Sequence, residues 1–131
     1  MGSITMKALK AVIFSVCLIA SNSWAQSLTV QQKNAVRSAN TYLSMSGFSR
    51  DGLILQLSSS YGDGYSVADA TAAVDSLNID WNEQAVRSAR QYLSFQGFSC
   101  KGLINQLSSS AGDKYSKSQA TYGAKQAGAC G

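Results

Sequence analysis

A repeated segment constrains this chain more than any other feature of its sequence. Residues 35–71 return as residues 85–121, at an offset of 50 residues and without an insertion, and 25 of the 37 aligned positions are identical. The shared pattern is A-V-R-S-A-x-x-Y-L-S-x-x-G-F-S-x-x-G-L-I-x-Q-L-S-S-S-x-G-D-x-Y-S-x-x-x-A-T. A repeat of this kind is one supersecondary unit. The chain is therefore expected to build the same small structure twice.

Hydrophobic periodicity divides each copy into three short helices. In the first copy, apolar residues recur at helical spacing in 35–43, in 53–57 and in 70–77, with turn-forming residues between these runs. The spacing gives each helix one apolar face, which must be buried against the other two helices. The sequence therefore predicts an all-α fold: a tandem repeat of two small three-helix, helix-turn-helix-like units.

The turn between the first two helices is Gly47-Phe48-Ser49. We expect Gly47 to adopt the left-handed conformation that ends a helix, and Ser49 to cap the helix that follows. Phe48 precedes the cap, where it can pack as a hydrophobic staple. The other structural motif positions are Tyr65 and Ser66 in the first copy, and Gly97, Phe98, Ser99, Tyr115 and Ser116 in the second.

The N-terminal segment is typical of an export signal. Lys7 and Lys10 precede the apolar run 11–20, and small residues stand at the −3 and −1 positions of a cut after Ala25. The run is too short to span a bilayer, which takes about 20 apolar residues. The resulting division of the chain is a signal peptide in 1–25, a first repeat in 26–78, and a second repeat with its C-terminal tail in 79–131.

Other interpretations of the N-terminal segment stay open. The apolar run is also compatible with a short membrane anchor or a core helix. Cys17 raises the alternative of a lipoprotein, but a lipobox needs a small residue before the cysteine, and Val16 is not small. Translation can equally start at Met6, which leaves a more typical signal.

Two cysteines follow the expected cleavage site, Cys100 and Cys130. An even number of cysteines in an oxidising compartment predicts a disulfide. The bond would close a loop of about 30 residues and stabilise the fold by about 3–4 kcal/mol in the chain-entropy model. The alternatives are two free thiols, or a bond from Cys130 to another molecule.

Charge is distributed unequally between the two copies. Loss of Lys7 and Lys10 lowers the formal charge from +4 to +2, which is too weak to indicate nucleic-acid binding. The second copy is nevertheless basic, and two interpretations stay open. Its charges are either solvated helix faces, or a surface for an acidic partner or an anionic phospholipid membrane. The candidate partner-binding residues are Arg87, Arg90, Lys101, Lys114 and Lys117.

The sequence offers few parts for catalysis or for a cofactor. It contains no histidine and no pair of acidic residues in a recognisable catalytic setting. Templates for a nucleophile with its base, and for a metal site, therefore lack members. We expect neither an enzyme nor a cofactor. DNA binding by a helix-turn-helix is also disfavoured, because an exported chain does not meet the chromosome.

The pattern S-A-x-x-Y-L-x-x-x-G-F-S-x-x-G-L-I-x-Q-L-S-S-x-x-G-D-x-Y-S-x-x-x-A resembles the repeat of the Ltp family, the host cell surface-exposed lipoproteins. Both copies match, so the resemblance covers essentially all of the exported chain. It implies a tandem of three-helix units. It also implies superinfection exclusion, in which a resident phage's envelope protein blocks DNA entry by a later phage by engaging its tape measure protein.

This chain departs from the family pattern because it lacks a lipobox and adds a cysteine pair. Both departures suit release across the inner membrane into a Gram-negative periplasm. There we expect the protein to act as a monomer that binds the tape measure protein or another injection protein. The alternative is an envelope adaptor that binds a host periplasmic protein or a cell-wall component.

Overall fold

A computed structural model describes residues 27–131. The expected signal peptide and its cleavage site lie outside the described residues. Within the described part, the chain forms helices and turns without strands, which confirms the all-α prediction. The helices are α1 Val30–Met45, α2 Arg50–Ser58, α3 Val67–Asp75, α4 Trp81–Phe95, α5 Cys100–Ser108 and α6 Lys117–Gln126.

Side-chain caps fix where each helix begins. Ser49 accepts a hydrogen bond from the backbone N–H of Gly52 at the start of α2, and Ser99 does the same for Gly102 at the start of α5. Such caps satisfy backbone donors that have no partner within the helix. The remaining N-cap residues are Thr29, Ser66, Asp80 and Ser116.

Gly47 does not end α1 in the way expected from the sequence. The glycines with positive φ among the described residues are Gly64, Gly128 and Gly131, so Gly47 and Gly97 are not left-handed. Helix α1 instead ends in extended backbone, where the N–H of residue 46 donates to the carbonyl oxygen of residue 42. A left-handed conformation is therefore not the reason for glycine at position 47; its close contact with the second repeat is.

Each repeat has its own hydrophobic core. Helices α1, α2 and α3 bury the first core, and α4, α5 and α6 bury the second. In the second core, Gly123 of α6 lies so close to Ala85 of α4 that an added Cβ would come within 2.9 Å of it. The buried residues are Ala39, Leu53, Leu57, Ala70 and Val74 in the first core, and Ala85, Ala89, Leu103, Leu107, Tyr115, Ala120 and Ala124 in the second.

Equivalent positions carry different crosslinks in the two repeats. In the first, Arg50 at the start of α2 donates from Nε and Nη2 to the two carboxylate oxygens of Asp75, at 2.7 and 2.8 Å. In the second, Cys100 occupies the position of Arg50 and forms a disulfide with Cys130, which confirms the predicted bond. Both crosslinks begin at the first residue of the middle helix; the ion pair ends on the last residue of α3, whereas the disulfide ends in the tail that follows α6.

Candidate partner-binding groove

The loop between α1 and α2 joins the two repeats. This first connecting loop, residues 46–49, lies against α4 of the second repeat. The backbone N–H of Gly47 donates to Oε1 of Gln91 at 3.1 Å, and the N–H of Phe48 donates to Oε1 of Gln84 at 3.2 Å. Two glutamine side chains therefore hold the first repeat by its backbone.

Close approach explains the glycine in this loop. A Cβ at position 47 would lie 2.7 Å from the Oγ of Ser88 and 2.8 Å from the carbonyl oxygen of Gln84. Real Cβ atoms do not come this close to their neighbours. Ser88 itself is buried, and its hydroxyl is 2.7 Å from that of Tyr115. Any side chain at position 47 would therefore push the loop away from α4.

A second connection runs from the loop to the turn before α6. The hydroxyl of Ser49 donates to the backbone carbonyl oxygen of Asp113, while its oxygen also caps α2. The carboxylate of Asp113 accepts from the hydroxyl of Tyr92 at 2.7 Å. Burial is the largest cause that raises the pKa of Tyr92 to about 12, and this hydrogen bond is the next largest. Burial also raises the pKa of the Asp113 carboxyl, although the bond from Tyr92 opposes that shift.

A groove of about 670 Å³ opens along this junction. Leu55 of α2 lies on one wall and Phe95 of α4 on the other, with exposed fractions of 50% and 86%. Phe48 and Tyr92 contribute aromatic rings to the groove, and Lys114 is also part of its lining. The groove lining is thus more apolar than polar, the character of a site for apolar side chains of a peptide or protein partner.

The lining holds few titratable groups. Its titratable groups are Asp113, Tyr92 and Lys114, and the first two bond to each other. The ammonium group of Lys114 donates to the backbone carbonyl of Ser110. Over residues 27–131, no three His, Cys, Asp or Glu side chains come together as metal ligands.

The groove does not gather the basic residues singled out from the sequence. Lys114 lines it. Arg87 lies half-buried on α4 and donates to Oε1 of Gln84 at 3.2 Å. Arg90, Lys101 and Lys117 are exposed and lie outside the lining.

Sequence reasoning missed the residues that form the junction and its walls. Leu55, Gln91 and Phe95 are matched in the other repeat by Asn105, Thr41 and Met45. They are thus among the minority of positions at which the repeats differ. The positions at which the two copies differ were the signal that could have indicated these residues. A surface that is present in only one repeat cannot depend on the shared pattern alone.

Some other large apolar side chains are also exposed, away from the groove. They include Val30, Tyr61, Val67 and Tyr122. None of the helices in the described part of the chain combines the length and apolar character needed to cross a membrane.

Comparisons with known proteins agree with the repeat and the fold. The family model described as "Host cell surface-exposed lipoprotein" matches residues 31–77 and 80–126. No curated protein sequence matches the chain. Among solved structures, the chain is similar to Ltp, a superinfection exclusion protein from the Streptococcus thermophilus temperate phage TP-J34. The match has 31% identity and a TM-score of 0.67, and covers 76% of this chain and 97% of Ltp. The chain therefore belongs to the family of host cell surface-exposed lipoproteins.

Proposed function

We propose that this chain is an exported superinfection-exclusion protein, which blocks DNA injection by an incoming phage. The proposal is supported by the similarity to Ltp over nearly the whole of that protein, at 31% identity. The N-terminal sequence, which predicts export, supports an envelope location. The absence of a lipobox and the disulfide between Cys100 and Cys130 favour release into the periplasm.

The groove between the repeats is the observation that carries the binding mechanism. Its apolar walls suit a helix that presents a stripe of apolar side chains, the mode in which grooves take amphipathic helices. The tape measure protein, or another protein extruded during injection, would present such a stripe before it is folded or inserted. Capture in the groove would hold this segment in the periplasm and stop the DNA that follows it.

Both repeats are needed for such a groove. Leu55 and the first connecting loop come from the first repeat, whereas Phe95 and Lys114 come from the second. Neither repeat alone forms two walls. Removal of either repeat should consequently abolish protection rather than halve it.

DNA entry is the measurement that tests the proposal. Cells with and without the protein are challenged with a panel of phages, and adsorption, potassium efflux and entry of a labelled genome are followed. We expect normal adsorption with the genome retained outside the cytoplasm for at least one phage. Normal entry for every phage would contradict exclusion, and a phenotype without any phage would favour the envelope adaptor.

A further inference from the structure

The interface between the repeats is not reciprocal. The first connecting loop contacts α4 and the turn before α6, while the equivalent loop of the second repeat contacts neither α1 nor the turn before α3. Each repeat carries the loop motif Gly-Phe-Ser and, on its receiving face, the same serine, tyrosine and aspartate, so each has a version of both halves of this interface. One loop and one receiving face are left over, at opposite ends of the tandem. Contacts of this heterologous type continue from unit to unit unless something closes them.

The unused loop is the second connecting loop, residues 96–99. Its glycine, Gly97, has no neighbouring atom within 4 Å of an added Cβ, whereas a Cβ on Gly47 would collide with α4. Gln96, Gly97 and Ser99 are exposed. The same four-residue turn is thus covered in one repeat and open in the other.

The unused receiving face lies on the first repeat. Ser38, Thr41, Tyr42 and Asp63 border a shallow depression of about 190 Å³. They occupy the positions of the second-repeat residues that surround the first connecting loop. The hydroxyl of Tyr42 donates to the carboxylate of Asp63 at 2.7 Å, the same bond and length as in the second repeat. The framework of the face is therefore already in place without a loop to occupy it.

We propose that copies of this chain associate head to tail, with the second connecting loop of one copy seated on the receiving face of the next. The occupant follows from continuity with the interface inside the chain, because each half has its complement on another copy. In this arrangement the first repeat of one copy would pack against the second repeat of the previous copy, as the second repeat packs against the first within the chain. A junction between copies would have Asn105 and Met45 at the positions of Leu55 and Phe95, so the groove would not recur there with the same walls.

The contact between copies is weaker than the contact within the chain. Gln84 and Gln91, which accept from the loop backbone, are replaced on the free face by the shorter Asn34 and Thr41. Separate copies also have no covalent linker to raise the effective concentration of the loop near the receiving face. The inference departs from the monomer expected from the sequence, and it does not depend on the proposed function.

Sedimentation equilibrium of the purified chain, without reductant, tests the association up to about 1 mM, the range of weak specific contacts. We expect the average mass to rise with concentration. Gly97→Arg should return it to the monomer value without unfolding the chain, because open space surrounds this residue. Tyr122→Arg, on the exposed face of α6, is the charge-matched control and should still associate.

A gain-of-function variant gives a second measurement. Asn34→Gln with Thr41→Gln restores both glutamines and should lower the concentration for half-association at least about fivefold, the combined effect expected of two weak hydrogen bonds. A wild-type mass that stays monomeric over the whole range would overturn the proposal. So would association that Gly97→Arg leaves intact, or that the two glutamines do not strengthen.

Discussion

The hydroxyl of Ser49 donates a hydrogen bond to the backbone carbonyl oxygen of Asp113, 64 residues further along the chain. Ser99, at the equivalent position of the second repeat, caps its own helix and is exposed. Both serines therefore cap the helix that follows them, but only Ser49 also bonds to the other repeat. A comparison of variants at these two serines can therefore distinguish the stability that a helix cap provides from the stability that the bond between repeats provides.

Replacement of these two serines should have unequal effects. Ser99→Ala removes only a helix cap, which costs about 1 kcal/mol of unfolding free energy. Ser49→Ala removes a cap and also leaves the partly buried carbonyl of Asp113 without this donor, for a total of roughly 1.5–3 kcal/mol. Denaturant unfolding of both variants checks the difference. Equal losses would mean that the bond to Asp113 contributes nothing to stability.

The two loop glycines provide a second matched pair. Gly47→Ala forces a Cβ against Ser88 and the backbone of α4, so we expect a loss of about 1–3 kcal/mol from overpacking. Gly97→Ala meets open space and should change stability by less than about 0.5 kcal/mol. Denaturant unfolding is again the measurement. A tolerated Gly47→Ala would show that the loop can leave α4 at no cost.

The same two glycines show how far the sequence can predict this molecule. Apolar periodicity and capping residues are local signals, and they predicted both three-helix units. The cysteine count predicted the disulfide because only Cys100 and Cys130 follow the signal. The surroundings of Gly47 and Gly97 were not predictable in this way, because identical residues in identical motifs have different neighbours.

The groove was beyond sequence reasoning for a related physical reason. The placement of one repeat on the other depends on a few side chains: Gln84 and Gln91 accept from backbone N–H groups, and Trp81 of α4 packs against the first core. Single hydrogen bonds of this kind leave no periodic pattern in a sequence. Leu55 and Phe95 lie off the buried faces of their helices, where an apolar residue carries no folding signal.

The disulfide should stabilise the second repeat. Substitution of both Cys100 and Cys130 by alanine is expected to lower the unfolding free energy by about 2–4 kcal/mol, because the crosslink restricts the unfolded chain. Reductant should lower the stability of the wild-type chain by a similar amount and leave the double variant unchanged. A wild-type chain that is insensitive to reductant would contradict this role.

Alkaline pH should weaken the junction through Tyr92. Its pKa in the folded chain, about 12, is above the ordinary tyrosine value of 10.0. A raised pKa means that its contribution to stability is complete below pH 10 and is lost as the pH rises towards 12. Tyrosine absorbance should show a component near pH 12 that is absent from Tyr92→Phe. In urea-unfolded protein this component should return to the ordinary range, and its persistence there would contradict the assignment.

The walls of the groove should determine protection. Leu55→Asn introduces the residue that the second repeat has at this position, and Phe95→Ser removes the other exposed wall. Together they should reduce protection against a sensitive phage at least about tenfold, since loss of one central apolar contact costs roughly 1.4 kcal/mol or more. Both side chains are exposed, so denaturant unfolding should change little. Tyr61→Ser removes a 99% exposed ring outside the groove and should leave protection intact. Full protection by the double variant, at wild-type abundance, would exclude the groove as the binding site.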